Sequence, residues 1–497
     1  MKSPLRRLRA DSPLLKVLPI ANVLGKLVML FSLTLVFPLG VSLLAQDAAD
    51  MHFILAMMGS FIAGALLWLG TRYFERELKP RDGFILVLLL WTGFAAVGTV
   101  PLMMAIPGLS FTDAYFEAIS GLTTTGATVL SGLDTLPASI NFWRHFLNWV
   151  GGMGIIVLAV AVLPLLGVGG MQLYKAETPG PIKDSKLTPR ITETAKNLWL
   201  IYAALTLLCT LALKAAGLSW LDAVCHAFAA LSLGGFSTHD ASVGFFDSLR
   251  VEMILSGFML LAAMNFATHF LAWRGKSLLA YVRDAEAKAM LLLLFISILG
   301  CALYLSWHNV YPFFTALRHV SFNLISIATD SGFASVDYDQ WPIFVPLWML
   351  FLSCITACSG STGGGIKMIR TLLLARQASR EMISLLHPSA VQPVRVGGAI
   401  IPNSVIFSVL GFIFLYFMSI VTLTFVQVAA GMDFISAFTA IIACINNAGP
   451  GLYQVGPAEN YSSLSNFQVW VCSFAMLLGR LEVFTLLILF TPAFWRK

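Results

Sequence analysis

The sequence predicts an all-α polytopic membrane protein, with two N-terminal helices followed by four repeats of span, short loop helix and span. Three observations predict it. Long apolar runs free of charge recur along the chain, Lys and Arg collect on alternate connections, and four glycine-centred clusters stand at matching places between spans.

The chain has 497 residues, of which 58% are hydrophobic and 11% charged. A soluble domain cannot hide that much apolar surface. Runs such as 83–107, 146–174, 341–366 and 396–432 are each long enough to cross roughly 30 Å of hydrocarbon. Ten spans are expected, near 27–45, 51–70, 83–107, 146–174, 198–213, 253–273, 289–307, 341–366, 396–428 and 467–494. Arg6, Arg7, Arg9 and Lys16 precede an apolar stretch too long for a signal h-region, so that stretch reads as the first span. The seven cysteines form no C-x-x-C pair and lie mostly in or beside apolar stretches, as small hydrophobes of a reduced chain do. His226, His239, His269 and His319 are scattered and show no metal-ligand spacing.

The connections alternate sides. One set (1–26, 71–82, 175–197, 274–288, 367–395 and the tail) holds 26 of the 31 Lys and Arg. The other holds Arg144, Lys214, Arg250 and Arg318, while Arg480 lies inside a span. Basic connections stay cytoplasmic, so both termini are expected inside. The distribution also argues against nucleic acid as the meaning of the net charge of +6. The inner face attracts anionic membrane lipid and is the surface a soluble partner would grip, with the Pro-rich segment in 175–197 as its main loop. The outer set carries 14 acidic residues against its four basic ones. A negative outer face concentrates cations. Topology places bases more strictly than acids, so the surplus favours a cation path over a by-product of topology.

Each long outer connection contains an apolar stretch too short to cross: Phe111–Leu122, Trp220–Leu233, Phe313–Ile327 and Phe434–Ile445. Each runs into a small-residue cluster: TTTGAT (123–128), SLGGFS (232–237), TDSGFA (329–334) and NNAGPG (446–451). The central glycines, Gly126, Gly235, Gly332 and Gly449, are 109, 97 and 117 residues apart. Repetition at such spacing implies quasi-symmetric copies of one unit. The expected division is a helix pair over 1–82 and repeats over 83–190, 191–282, 283–395 and 396–497. Asp113 and Asp222 each stand thirteen residues before their glycine, where an acid caps a short helix.

Irregular backbone at membrane depth persists only when buried in protein or lining water. Four half-helices entering from outside would aim their negative C-terminal ends at one axis. Glycine loops can turn carbonyls inward, and rings of carbonyls replace the water shell of an alkali ion. On this physics alone the four loops read as a pathway for a monovalent cation. No nucleophile–base pair, phosphate loop or metal motif points to an enzyme, and no cofactor is expected beyond a transported ion.

Six long motifs carry a resemblance over nearly the whole chain: SGLTTTGATVLSGLD (120–134), LGGFSTHDASVG (233–244), LRHVSFNLIS (317–326), CSGSTGGGIKMIR (358–370), NNAGPG (446–451) and LLGRLEVFTLL (477–487). The sequence resembles the membrane subunits of Trk-type potassium uptake systems, within the superfamily that includes the Ktr and plant HKT transporters. The resemblance implies one pseudo-fourfold pore per subunit, K+ as the transported ion, a homodimer in the bacterial inner membrane, and a cytoplasmic nucleotide-binding ring that gates the pore. It implies filter positions at Thr124, Thr125 and Gly126; Leu233, Gly234 and Gly235; Asp330, Ser331 and Gly332; Asn447, Ala448 and Gly449, acting mostly through backbone carbonyls.

The third loop departs from the family's threonine-rich pattern, because Asp330 stands before Ser331 and Gly332. Its carboxylate either bears on ion selection or points away and caps local amides. Within the eighth span, Gly360, Gly363, Gly364 and Gly365 interrupt the helix, with Ser359, Ser361 and Thr362 among them and Lys367 and Arg370 following. The resemblance assigns an intramembrane gating loop there. Arg480 is the cation of the last span. A buried membrane charge faces the protein interior, and Glu482, two residues on, is expected to face away from it. Arg480 therefore needs a partner elsewhere, for which the carbonyls of the glycine loop are candidates. Channel and symporter share this architecture. Inverted repeats mark many symporters, whereas these repeats keep one orientation, which favours a pore; coupling to H+ or Na+ stays open.

Overall fold

The computed structural model describes residues 13–74, 76, 78–161, 191–389 and 392–496. The basic residues Arg6, Arg7 and Arg9 and most of the connection 175–197 lie outside the described residues.

Helix α1 (Pro13–Ser32) passes through one 3-10 turn into α2 (Val36–Ala45), and α3 (Asp50–Thr71) packs back along α1. Glycine allows the contact. A Cβ on Gly25 would meet the carbonyl oxygen of Gly64 at 2.8 Å, and one on Gly64 would meet that of Gly25 at 2.9 Å. Small residues at a helix crossing let backbones approach in lipid.

Four units follow. The first is α4 (Pro80–Ala105), α5 (Phe111–Leu122) and α6 (Ala138–Ala161). The second is α7 (Ile191–Ala215), α8 (Trp220–Ser232), α9 (Leu249–Ala263) and α10 (Phe266–Gly275), with the short α11 (Leu279–Arg283) after it. The third is α12 (Ala285–Trp307), α13 (Phe313–Ala328), α14 (Phe344–Ile355) and α15 (Met368–Leu386). A small antiparallel hairpin, β1 (Arg395–Val396) with β2 (Ala399–Ile400), leads to the fourth: α16 (Asn403–Ala429), α17 (Phe434–Asn446), α18 (Asn466–Arg480), α19 (Phe484–Leu487) and α20 (Pro492–Trp495).

Six helices among the described residues are long and apolar enough to cross a membrane, or eight if two bent pairs each count as one span. The sequence expects ten, and the difference lies in the second span of the repeats. The sixth span turns through 97° between α9 and α10, where the Asn265 side chain starts a new helix by accepting the Ala267 N–H. The tenth turns through 109° after Arg480, where Glu482 and Val483 take positive φ. The eighth ends as a helix at Ile355 and resumes at Met368. The fourth is helical to Ala161, and its remaining expected residues, 162–174, lie outside the described ones. The inner connection 367–395 is largely helix α15 rather than a loop.

The short helices α5, α8, α13 and α17 are the half-helices of the four loops. Serine, not aspartate, caps the first two. Ser110 Oγ accepts the Asp113 N–H and donates to its carboxylate, and Ser219 does the same with Asp222. The acids sit at the third helical position, where their charge opposes the positive helix end. Asp433 caps α17 directly, through the Ser436 N–H. Each half-helix packs against the second span of the preceding unit: α8 on α6, α13 on α9, α17 on α14, and α5 on α18 of the fourth. The units therefore close into a ring.

Glycines set the closeness of that packing. A Cβ on Gly151 of α6 would stand 1.9 Å from the carbonyl oxygen of Leu122, at the end of α5. The equivalent on Gly479 of α18 would stand 1.8 Å from that of Ile445. Overpacking at such a site costs about 1–3 kcal/mol or more. Gly151→Ala is expected to lower the thermal-unfolding midpoint in detergent, whereas Gly59→Ala, with open space around it, leaves the midpoint unchanged.

Candidate ion pathway

Each half-helix ends the same way. The N–H groups of Thr125, Gly234, Ser331 and Ala448 donate to the carbonyls of Ser120, Ala229, Ser326 and Ala443, five residues back. The residue before each of them, Thr124, Leu233, Asp330 or Asn447, is left-handed, with φ of 54°, 55°, 67° and 60°. This is a Schellman-type helix end, here built on non-glycine residues. A left-handed β-branched residue such as Thr124 is strained. The following residue returns to negative φ, and the central glycine is left-handed again, at 80°, 62°, 83° and 85°. Four different sequences thus share one backbone path.

The loops also touch in order. A Cβ on Gly126 would lie 2.2 Å from the carbonyl oxygen of Gly234. One on Gly235 would lie 1.8 Å from that of Ser331, one on Gly332 2.3 Å from that of Ala448, and one on Gly449 2.6 Å from that of Thr125. Each glycine therefore faces the carbonyl just before the next loop's glycine, and the fourth loop returns to the first. Among the described residues no backbone N–H donates to a carbonyl of the twelve triplet positions. The Gly449 carbonyl accepts the Tyr461 hydroxyl at 2.8 Å. Asn447 Nδ2 reaches Thr125 Oγ1 at 2.9 Å and joins the fourth loop to the first by side chains.

Outside this ring lies a second one. Asp240 accepts the Gly132 and Leu133 N–H groups, joining the second loop to the first. The Gly244 N–H bonds to the Ala334 carbonyl, joining second to third. Asp339 accepts the Tyr453 N–H, joining third to fourth. The Tyr461 N–H bonds to the Thr128 carbonyl, joining fourth to first. His239 bonds to Asp134 across the first two loops and holds that carboxyl below its ordinary value. A cavity of about 80 Å³ sits within this rim and is lined from all four loops, Gly126, Gly235, Gly332 and Pro450 included.

On the opposite side, the interrupted stretch between α14 and α15 packs against the half-helix ends. Thr362 Oγ1 donates to the Leu231 carbonyl at 3.0 Å, and a Cβ on Gly364 would fall 2.0 Å from the Asn446 carbonyl oxygen. The Phe266 N–H holds the Gly360 carbonyl, and Gly365 is left-handed. Three charged side chains bind three consecutive residues of this stretch. Arg480 Nη1 donates to the Thr362 carbonyl at 3.0 Å, Lys367 Nζ to the Gly363 carbonyl at 2.8 Å, and the Gly364 N–H to Asp330 Oδ2 at 3.0 Å. Arg480 Nη2 also holds the Gly151 carbonyl at 3.0 Å. Glu482 pairs with Arg370 at 2.9 Å. It lies beyond the end of α18, so the end of the helix, not helical phase, separates it from Arg480.

The TrkH family profile, described as a cation transport protein, matches residues 49–497. The chain belongs to the TrkH family. It is 47% identical to the Trk system potassium uptake protein TrkH of Halomonas elongata, over 96% of this chain and 99% of that protein. It is 38% identical to the Trk system potassium uptake protein TrkG of Escherichia coli, over 96% and 98%. The crystal structure of the potassium transporter TrkH from Vibrio parahaemolyticus superposes with a TM-score of 0.88 at 43% identity, covering 98% of this chain and all of that one. Its relatives are bacterial, and this TrkH-family chain is a multi-pass membrane transport protein, not an enzyme.

The TrkH fold holds each descending strand with a half-helix side chain that sequence reading did not single out. Glu117 accepts the Thr128 hydroxyl and the Val129 N–H. His226 bonds to Ser237, Asn323 makes two bonds with Ser335, and Thr439 accepts the Leu452 N–H. A polar residue nine or ten positions before each glycine was the available signal. Buried Glu117 pairs with buried Arg144 at 2.6 Å, and Arg144 also reaches the Ser237 carbonyl and lies over the Phe236 ring. Removing one partner of a buried pair costs about 3–5 kcal/mol. Arg144→Met is expected to lower the unfolding midpoint in detergent sharply, and Glu117→Gln added to it recovers part of the loss.

Proposed function

We propose that this chain is the potassium-translocating subunit of a Trk-type uptake system in the bacterial inner membrane, with both termini cytoplasmic. The single observation that carries the reading is the closed ring of four left-handed glycines, each against the next loop's carbonyl. The triplets Thr124–Gly126, Leu233–Gly235, Asp330–Gly332 and Asn447–Gly449 stack carbonyl oxygens around one axis. Such oxygens substitute for water around an alkali cation, and four helix C-terminal ends add negative potential there. The relatives, potassium uptake proteins and a potassium transporter, supply potassium as the ion.

The stretch around Gly360, Gly363, Gly364 and Gly365 is the gate in this reading, with Lys367 and Arg480 as its clamps. It lies inward of the ring, where its displacement opens a path. A cytoplasmic nucleotide-binding ring subunit supplies the control, and the subunit works as a homodimer. The basic inner connections give such a partner its surface and also face anionic lipid.

Complementation tests the reading. A potassium-uptake-deficient bacterium expressing this chain together with a cytoplasmic Trk partner is expected to grow at limiting potassium, and failure with protein present in the membrane overturns it. Deleting Gly363–Gly365 is expected to give potassium leak from proteoliposomes without any stimulus. Vesicles that stay tight, holding folded protein, remove the gate assignment.

A further inference from the structure

Asp330 is the acid among the four left-handed residues that end the half-helices. It is fully buried, and its Oδ2 accepts the Gly364 N–H at 3.0 Å while its Oδ1 has no hydrogen-bond partner. A buried carboxylate has room for about four hydrogen bonds and is costly when under-supplied. A second orphan oxygen lies close by. Asn447 Oδ1, on the neighbouring loop, is also buried and unpartnered, and it stands 3.4 Å from where a Cβ on Gly364 would be. Gly364 thus lies against both the Asp330 carboxylate, one of whose oxygens is unbonded, and the unbonded Asn447 Oδ1, at the ends of the half-helices.

The geometry points to a monovalent-cation site at the Asp330 carboxylate and Asn447 Oδ1, one that the Gly364 N–H closes and that opens when the glycine stretch leaves. The inference rests on the pore reading above and adds to it a ligand set beneath the carbonyl ring. The amide carries a partial positive charge and occupies the cation's place at the carboxylate as long as the stretch is seated. Arg480 and Lys367 hold the two preceding carbonyls, so the same movement takes their contacts away from the site. Cation and gate then compete for one carboxylate. Occupancy from within favours the open stretch, which makes opening depend on the permeant ion.

Gly364 supplies its own opening variant, because an alanine Cβ would meet the Asn446 carbonyl oxygen at 2.0 Å. Potassium flux is measured in proteoliposomes holding the full chain. Asp330→Ala removes the latch and is expected to raise unstimulated flux by roughly tenfold or more, the scale of a lost hydrogen bond to a charged group. Asp330→Asn keeps an oxygen but no charge, so its rise is smaller. In the Gly364→Ala background, Asp330→Asn is expected to raise the half-saturating lumenal potassium concentration on the gate side by roughly tenfold. Unstimulated flux of Asp330→Ala equal to wild type overturns the latch, and an unchanged half-saturation overturns the site. If Gly364→Ala does not fold, the Asp330→Ala flux decides alone. Wild-type protein that transports no potassium overturns the underlying pore reading instead, so the two failures are distinguishable.

Discussion

The constraint on which the structure depends is a set of four van der Waals contacts, each between a glycine Cα and a carbonyl oxygen of the next loop. None leaves room for a Cβ, which would stand 2.2, 1.8, 2.3 or 2.6 Å from the facing oxygen. Close approach around a ring leaves the loops no separate freedom, since a shift in one displaces its neighbour and, through the fourth, itself. It also dictates where the half-helices stop. The shared five-residue helix-end bond satisfies the N–H groups while leaving the triplet carbonyls clear of backbone donors. The strain of left-handed Thr124, Leu233, Asp330 and Asn447 is the cost of that ending.

Buried cations and broken helices depend on one another in this fold. An isolated Arg at membrane depth is expensive, and a helix interrupted there strands its carbonyls. Arg480 meets both needs by bonding to Thr362 in the unwound stretch and to Gly151 on the first unit. Lys367 does the same with Gly363. The fourth unit therefore grips the third and the first at once, inward of the ring. Farther out, Arg144 performs the corresponding task between the first two units, with Glu117 as its counter-charge. Arg480 and Arg144 are each placed where units meet, while Lys367 braces the third unit from within, so the ring of repeats is tied by charge as well as by packing.

Local patterns were legible in the sequence. The ends of the short helices fall within one residue of their apolar stretches, because glycine clusters stop them and serine, aspartate or, in the third, Pro312 starts them. The bends after Ala263 and Arg480 were not legible. Apolar composition is the same on both sides of each break, and hydropathy carries no direction. Partners across repeats were hidden for a different reason: Asp240 with Gly132, or Asp339 with Tyr453, are more than a hundred residues apart, and nothing local marks either. Position between spans puts Glu117 and Arg144 among the outer-face charges, although the two bury each other. The capping role went to Asp113 rather than Ser110 since an acid in the first turn and a cap both suit the helix dipole.

The backbone of the ring is nearly fourfold, and its side chains are not. Asn447 fastens the fourth loop to the first through Thr125, and Asn446 anchors the fourth half-helix to Ser353 and Tyr416. Leu233 brings no polar group to the second. Only on the third does a carboxylate meet the unwound stretch, and that stretch belongs to the same unit. A symmetric set of carbonyls can select an ion, because selection needs equivalent ligands at equal distance. A movable barrier needs the opposite, a single place where one conformer is favoured over another. In the proposed reading the four like loops supply the first, and the departure of one loop from the other three supplies the second. That divergence falls at Asp330, where the third loop and the unwound stretch share a hydrogen bond.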